Sequence, residues 1–207
     1  MSNSLFAFAV LAGLLTMLPG LDTVQVLRSA TIAGPRMAYQ TVFGIIAGVF
    51  VLSIAAATGV SAVILASGYA YHLLKIIGGL YLLYLGIRMI IDARKITEEI
   101  DFNAEVKIDG FFKTFMRALT ITVTNPKGLA FYIAVMPQFL PENSNTFVGG
   151  ILLAAIHNTE VLIWFSLVIW STALAKNYLN KPSAKRAMER ISGVAMLAFG
   201  LSFIFNG

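Results

Sequence analysis

A chain of 207 residues in which 58% are hydrophobic and 12% charged is too apolar for a soluble globular domain, where about a quarter of residues carry charge. It contains no cysteine, which excludes disulfides, thiol redox chemistry and metal–thiolate sites. The net charge of +5 does not point to a nucleic-acid partner, because the basic residues fall between apolar stretches, where a membrane protein keeps them.

The first apolar stretch, about 5–27, has no Lys or Arg before Arg28 and no small-residue cleavage site after a short apolar run, so it reads as a retained helix rather than a signal peptide. It is broken at Leu18-Pro19-Gly20-Leu21-Asp22. Gly34-Pro35 then precedes a second stretch at 39–66, which carries Gly44 and Gly48, and a third follows at 71–91 with Gly78, Gly79 and Gly86. Small residues at these spacings let membrane helices approach closely, either inside one bundle or at a homodimer interface. The segment 92–113 is hydrophilic and of mixed charge and reads as a linker. A fourth apolar stretch at 115–138 is broken at Thr124-Asn125-Pro126-Lys127-Gly128, and Leu140-Pro141 precedes the fifth at 147–175. The sixth, 191–205, follows a connection from Ala175 to Glu189. At roughly 20 residues per crossing, this is an all-α integral membrane protein of six transmembrane helices and little else.

The linker divides the helices three and three, giving one transport domain over 1–207 with repeats at about 1–91 and 114–207. Three is odd, so the second unit enters the membrane from the opposite side and the repeat is inverted. Pro19 and Pro126 then occupy matching places 107 positions apart in the broken first and fourth helices, and Gly44 and Gly150 correspond at a separation of 106 in the second and fifth. With the N-terminus outside, 13 of the 15 Lys and Arg fall in or beside three cytoplasmic connections: Arg28 and Arg36; the group from Arg88 to Arg117; and the group from Lys176 to Arg190. Both termini are therefore expected outside.

Proline within a membrane helix leaves backbone groups unpaired where bulk water is absent, and paired broken helices in two halves of a chain point to a transporter's binding site. The helix breaks are assigned to Pro19, Gly20 and Pro126. Few ionisable residues lie in the apolar stretches, and each costs on the order of 3 kcal/mol to insert. Asp22, with Gln25 three positions on, either caps the restarted helix or offers a carboxylate to a substrate ammonium or a coupling proton. Lys127 sits in a first helical turn, where the macrodipole disfavours a cation. With Asn125 as cap, that helix end and the ammonium suit a carboxylate; the alternatives are snorkelling or a structural pair with Asp22 or Glu160. His157, Glu160 and Trp164 share one face of the fifth helix. Glu160 is a candidate for substrate contact or proton coupling, whereas His157 reads rather as a satisfied interior histidine, and Trp164 and Trp170 as packing or interface anchors rather than substrate-stacking groups. The stretch from Phe131 to Phe139 either lines the path or packs. Lys75 lies near a boundary. No P-loop, HExxH or GxSxG motif occurs, so nucleotide hydrolysis and common hydrolase chemistry are not expected, and no metal or cofactor is called for.

Pro19-Gly20-Leu21-Asp22-Thr23 with Arg28, Gly34-Pro35-Arg36 and the run from Gly44 to Gly48 resemble the lysine exporter (LysE/RhtB) family of amino-acid exporters. The stretch from Leu74 to Gly86 is similar to that family's third helix, and Thr124-Asn125-Pro126-Lys127 through Met136-Pro137-Gln138-Phe139 to its fourth. The resemblance covers nearly the whole chain and implies export of amino acids or close analogues across a bacterial inner membrane, driven by an ion gradient. By position it assigns Pro19, Gly20, Asp22 and Thr23 to one block and Asn125, Pro126 and Lys127 to the other. Leu21 departs from it, the family often having proline there. The expectation is a proton antiporter, not an enzyme, whose partners are the amino acid, the coupling ion and the bilayer. Asp22, Thr23, Asn125, Lys127 and Glu160 would bind substrate, and Asp22 or Glu160 would carry the proton. A passive solute channel and a non-transporting scaffold subunit are the rival readings.

Overall fold

The computed structural model describes residues 2–18, 20–66, 68–96, 110–140, 146–172, 174 and 181–206. Pro19, most of the linker (97–109), Pro141 and Glu142 of the connection before the fifth stretch, and Lys176 lie outside the described residues, as does the side chain of Lys75. The described residues form seven α-helices, a short 3-10 helix and no strand.

Helix α1 (Ser2–Met17) ends at the first break, where Leu18 and Gly20 are non-helical, and α2 (Leu21–Ala66) starts directly after it. At 1.5 Å per residue α1 is about 24 Å long, short of a bilayer's hydrocarbon core. Helix α2 is divided by Gly34, whose φ of 78° and ψ of −177° belong to a region essentially reserved for glycine, followed at once by Pro35. The first helical run thus ends where Gly34-Pro35 was expected to precede the second. Helix α3 (Gly68–Ala93) is followed after the linker by α4 (Phe111–Thr124) and α5 (Pro126–Ala134), separated by the extended residue Asn125. The 3-10 turn Met136–Phe139, α6 (Thr146–Trp170) and α7 (Pro182–Asn206) complete the chain.

Among the described residues, Leu21–Gly59, Ile76–Ala93 and Thr146–Trp170 are helices long and apolar enough to cross a membrane. The outer surface agrees with that solvent. Phe6, Phe43, Leu80, Tyr84, Ile133 and Ile163 stand exposed on different helices, an apolar coat that water would not tolerate and lipid does. Trp170, 88% exposed at the end of α6, has the position of an interfacial anchor.

Helix α2 packs between α4 and α6, α1 lies along α6, and α3 lies along α7. Glycines set these distances. A Cβ on Gly44 would meet the Phe115 carbonyl and lie 2.7 Å from the Ala118 Cβ, and one on Gly48 would lie 2.8 Å from the Thr122 Cβ. Between α3 and α7, Gly79 faces the carbonyl of Gly200 and Gly86 that of Gly193, so the two helices run in opposite directions along a seam of backbone against backbone. Gly44, Gly48, Gly79 and Gly86 are therefore packed inside the chain.

Candidate functional site

At each break, side chains and the restarted helix take up some of the backbone groups left loose. At the first, the Thr23 hydroxyl donates to the Leu18 carbonyl (3.4 Å), and Val24 N–H donates to Gly20 (3.0 Å). At the second, the Asn125 side chain accepts from the Lys127 N–H at 3.1 Å, capping α5, while Pro126 fills the first helical position, where a missing N–H costs nothing.

The two breaks open into one small cavity of about 60 Å³, partly open at its mouth. Its polar wall holds Asp22, Thr23, Asn125 and Lys127, so four of the five expected substrate-binding residues come together. A hydrogen bond links the breaks: the Thr122 hydroxyl at the end of α4 donates to Asp22 Oδ1 at 3.0 Å. The rest of the wall is largely aliphatic and aromatic, with Leu15, Ile45, Val49, Leu52, Val161 and Phe165. Few polar groups in an apolar wall is the usual composition of a small-molecule site.

Lys127 has its own counter-ion. Its Nζ lies 3.1 Å from Glu189 Oε1 of α7, with the two side chains 27% and 15% exposed. This pair takes the place of the structural pairing with Asp22 or Glu160 weighed from the sequence. Glu189 drew no notice there because it sits among Lys181, Lys185, Arg186 and Arg190 and reads as part of a basic connection.

His157, fully enclosed, also lines the cavity and ties α6 to both broken helices. Its Nε2 is 3.0 Å from Thr16 Oγ1 in α1, and its Nδ1 bonds to the Tyr132 hydroxyl in α5. The Thr16 hydroxyl has one proton and an acceptor in the Ala12 carbonyl at 2.9 Å. With that proton so used, the ring donates from Nε2 to Thr16 and accepts at Nδ1 from Tyr132, which fills the one donor and one acceptor of a neutral imidazole. Of the stretch from Phe131 to Phe139, Tyr132 reaches the cavity; Phe131 and Phe139 instead pack against Phe8 of α1.

Glu160 lies elsewhere. It is absent from the cavity wall and packs beside Gly13, where an added Cβ would lie 3.8 Å from the carboxyl carbon. Its Oε2 is buried with no hydrogen-bond partner among the described residues, as is Trp164 Nε1 one turn on. No cluster of metal-ligating side chains occurs among the described residues.

Apolar helices, paired breaks and a polar-ended cavity between them define a multi-pass membrane protein built to handle a small solute. The family model of LysE type translocators matches residues 14–207, and the chain belongs to that family, whose members are transporters rather than enzymes. It is 27% identical over 205 residues to the uncharacterized membrane protein YrhP of Bacillus subtilis (strain 168), covering 96% of this chain and 97% of that one. It is 25% identical over 200 residues to the leucine efflux proteins of Salmonella typhimurium (strain LT2) and Salmonella typhi, covering 96% of this chain and 90% of theirs. No solved structure matches it.

Proposed function

We propose that the protein exports an amino acid with an apolar side chain from the cytoplasm of a bacterium by proton antiport across the inner membrane. The observation that carries this is the single cavity into which both helix breaks open, with Asp22 on one and Lys127 on the other. A zwitterion has charges to match: its ammonium goes to Asp22 and its carboxylate to Lys127 and the N-terminus of α5. Thr23 and Asn125 keep the two ends shaped, and the aliphatic wall takes the side chain. Relatives named as leucine efflux proteins support export, and support leucine as the first solute to try.

In this reading the helices form six spans in two inverted three-helix repeats. The α1–α2 start and the α4–α5 pair are the broken spans, and α3 and α7 are their closing helices. The opposed directions of α3 and α7 support the arrangement. Proton coupling runs through Asp22 or Glu160. Glu160 lies against α1 with an oxygen that has no partner among the described residues, so a change in its charge would be felt by the broken helix beside it.

Leucine efflux from proteoliposomes, with and without an imposed pH gradient, tests the reading. Efflux that saturates and steepens with the gradient is expected, together with loss of the gradient effect in Asp22→Asn or Glu160→Gln. Efflux that neither saturates nor responds to pH means a channel, and full gradient-driven transport by both variants means the wrong acids. The chain lacks cysteine, so a Cys at Ser2 or Asn206 is a unique label, expected to react with an impermeant reagent in intact cells.

A further inference from the structure

We infer that Glu189 is a built-in stand-in for the substrate's carboxylate: it occupies Lys127 when the cavity is empty and gives it up when substrate binds. The inference rests on the export reading and adds a competitor to it. Lys127 lines the cavity, but Glu189 does not; the acid approaches the ammonium from α7, outside the wall. A cation in the first turn of α5 is opposed by the helix dipole, so it needs a nearby anion at all times. Asp22, the acid within the wall, is held by Thr122 of α4, which leaves Glu189 as the counter-ion of Lys127.

Both side chains of the pair are largely withdrawn from water, at 27% and 15% exposure, and a charge left alone in such surroundings is costly. A substrate carboxylate therefore reaches Lys127 by exchange for Glu189 rather than by addition to it. The exchange also cuts a tie between α5, which carries the second break, and α7, which is packed along α3. Occupancy of the cavity is in this way read out at a helix that does not form its wall. A purely structural ion pair would be the same contact with none of these consequences, and the two ideas predict different variants.

The test is equilibrium binding of L-leucine and of 3-methylbutylamine, which is leucine without its carboxylate, to the purified full-length protein. Removing the competitor in Glu189→Gln is expected to tighten leucine binding about three- to tenfold, the range for losing a half-buried charge partner, and to leave the amine unchanged. The swap Lys127→Glu with Glu189→Lys keeps an ion pair and is expected to keep the melting temperature while losing leucine binding. If Glu189→Gln fails to fold, Glu189→Asp, with its shorter reach, should shift leucine in the same direction by less. Leucine binding that is unchanged or weaker in Glu189→Gln, or restored by the swap, means a structural pair and overturns the inference while export stands. Folded wild-type protein that binds no amino acid overturns the export reading itself.

Discussion

Two short side chains carry more of the site than their size suggests. Thr122 contributes one hydroxyl, and that hydroxyl joins the end of α4 to Asp22 across the cavity. Thr122→Val keeps the shape and removes the donor. A hydrogen bond to a charged group contributes on the order of 1.5–3 kcal/mol to stability, so the melting temperature is expected to fall, and leucine efflux at low substrate to fall with it because Asp22 is no longer held in place. Asn125→Ala removes the cap on α5 and frees the Lys127 N–H. A loss of about 1 kcal/mol in stability is expected from thermal unfolding, with weaker leucine binding because the helix end is no longer held. Asp22 and Lys127 were legible because a charge in an apolar stretch is conspicuous. Thr122 was not, since a threonine or serine in a membrane helix commonly bonds its own backbone, as Thr16, Ser53 and Thr58 do here.

At the scale of elements, the chain breaks its helices with glycine, proline and asparagine and brings them together with glycine. Gly34 turns α2 with a backbone geometry closed to other residues, so Gly34→Ala is expected to cost about 1–3 kcal/mol, read as a lower melting temperature. Gly48→Ala acts differently: its methyl would press on Thr122, so efflux should suffer more than stability does. Both breaks could be read from sequence, because Gly20 and Asn125-Pro126 interrupt otherwise continuous apolar runs. The partner of each glycine could not, since spacing fixes which residues share a helix face and not which helix comes to meet it. Gly44 and Gly48 met α4, and Gly79 and Gly86 met α7, where a second copy of the chain would have satisfied the same pattern.

For the whole molecule, the apolar outer surface and the few polar groups of the cavity were both foreshadowed by composition and by the places of the few charges. The arrangement around the cavity was legible less evenly. Asp22 and Lys127 do share it, but they bind different partners, Thr122 and Glu189, rather than each other. Glu160, on the same helix face as His157 by its spacing, lies off the cavity wall and beside Gly13 of α1, and a periodicity within α6 carries no record of α1. The seam between α3 and α7 binds regions far apart in the chain, and it has no slack. Gly86→Leu, whose side chain would run into the Gly193 carbonyl, is expected to lose the folded protein outright, measured as loss of a monodisperse peak on size-exclusion chromatography.

That seam also bears on the order of manufacture. Helix α7 is synthesised last of the seven, and Glu189 travels with it. Until α7 has been delivered to the membrane and has found α3, the nascent chain holds both helix breaks and an ammonium with no counter-charge, a half-built site in the lipid. Docking of α7 neutralises Lys127 in the same event that closes the fold.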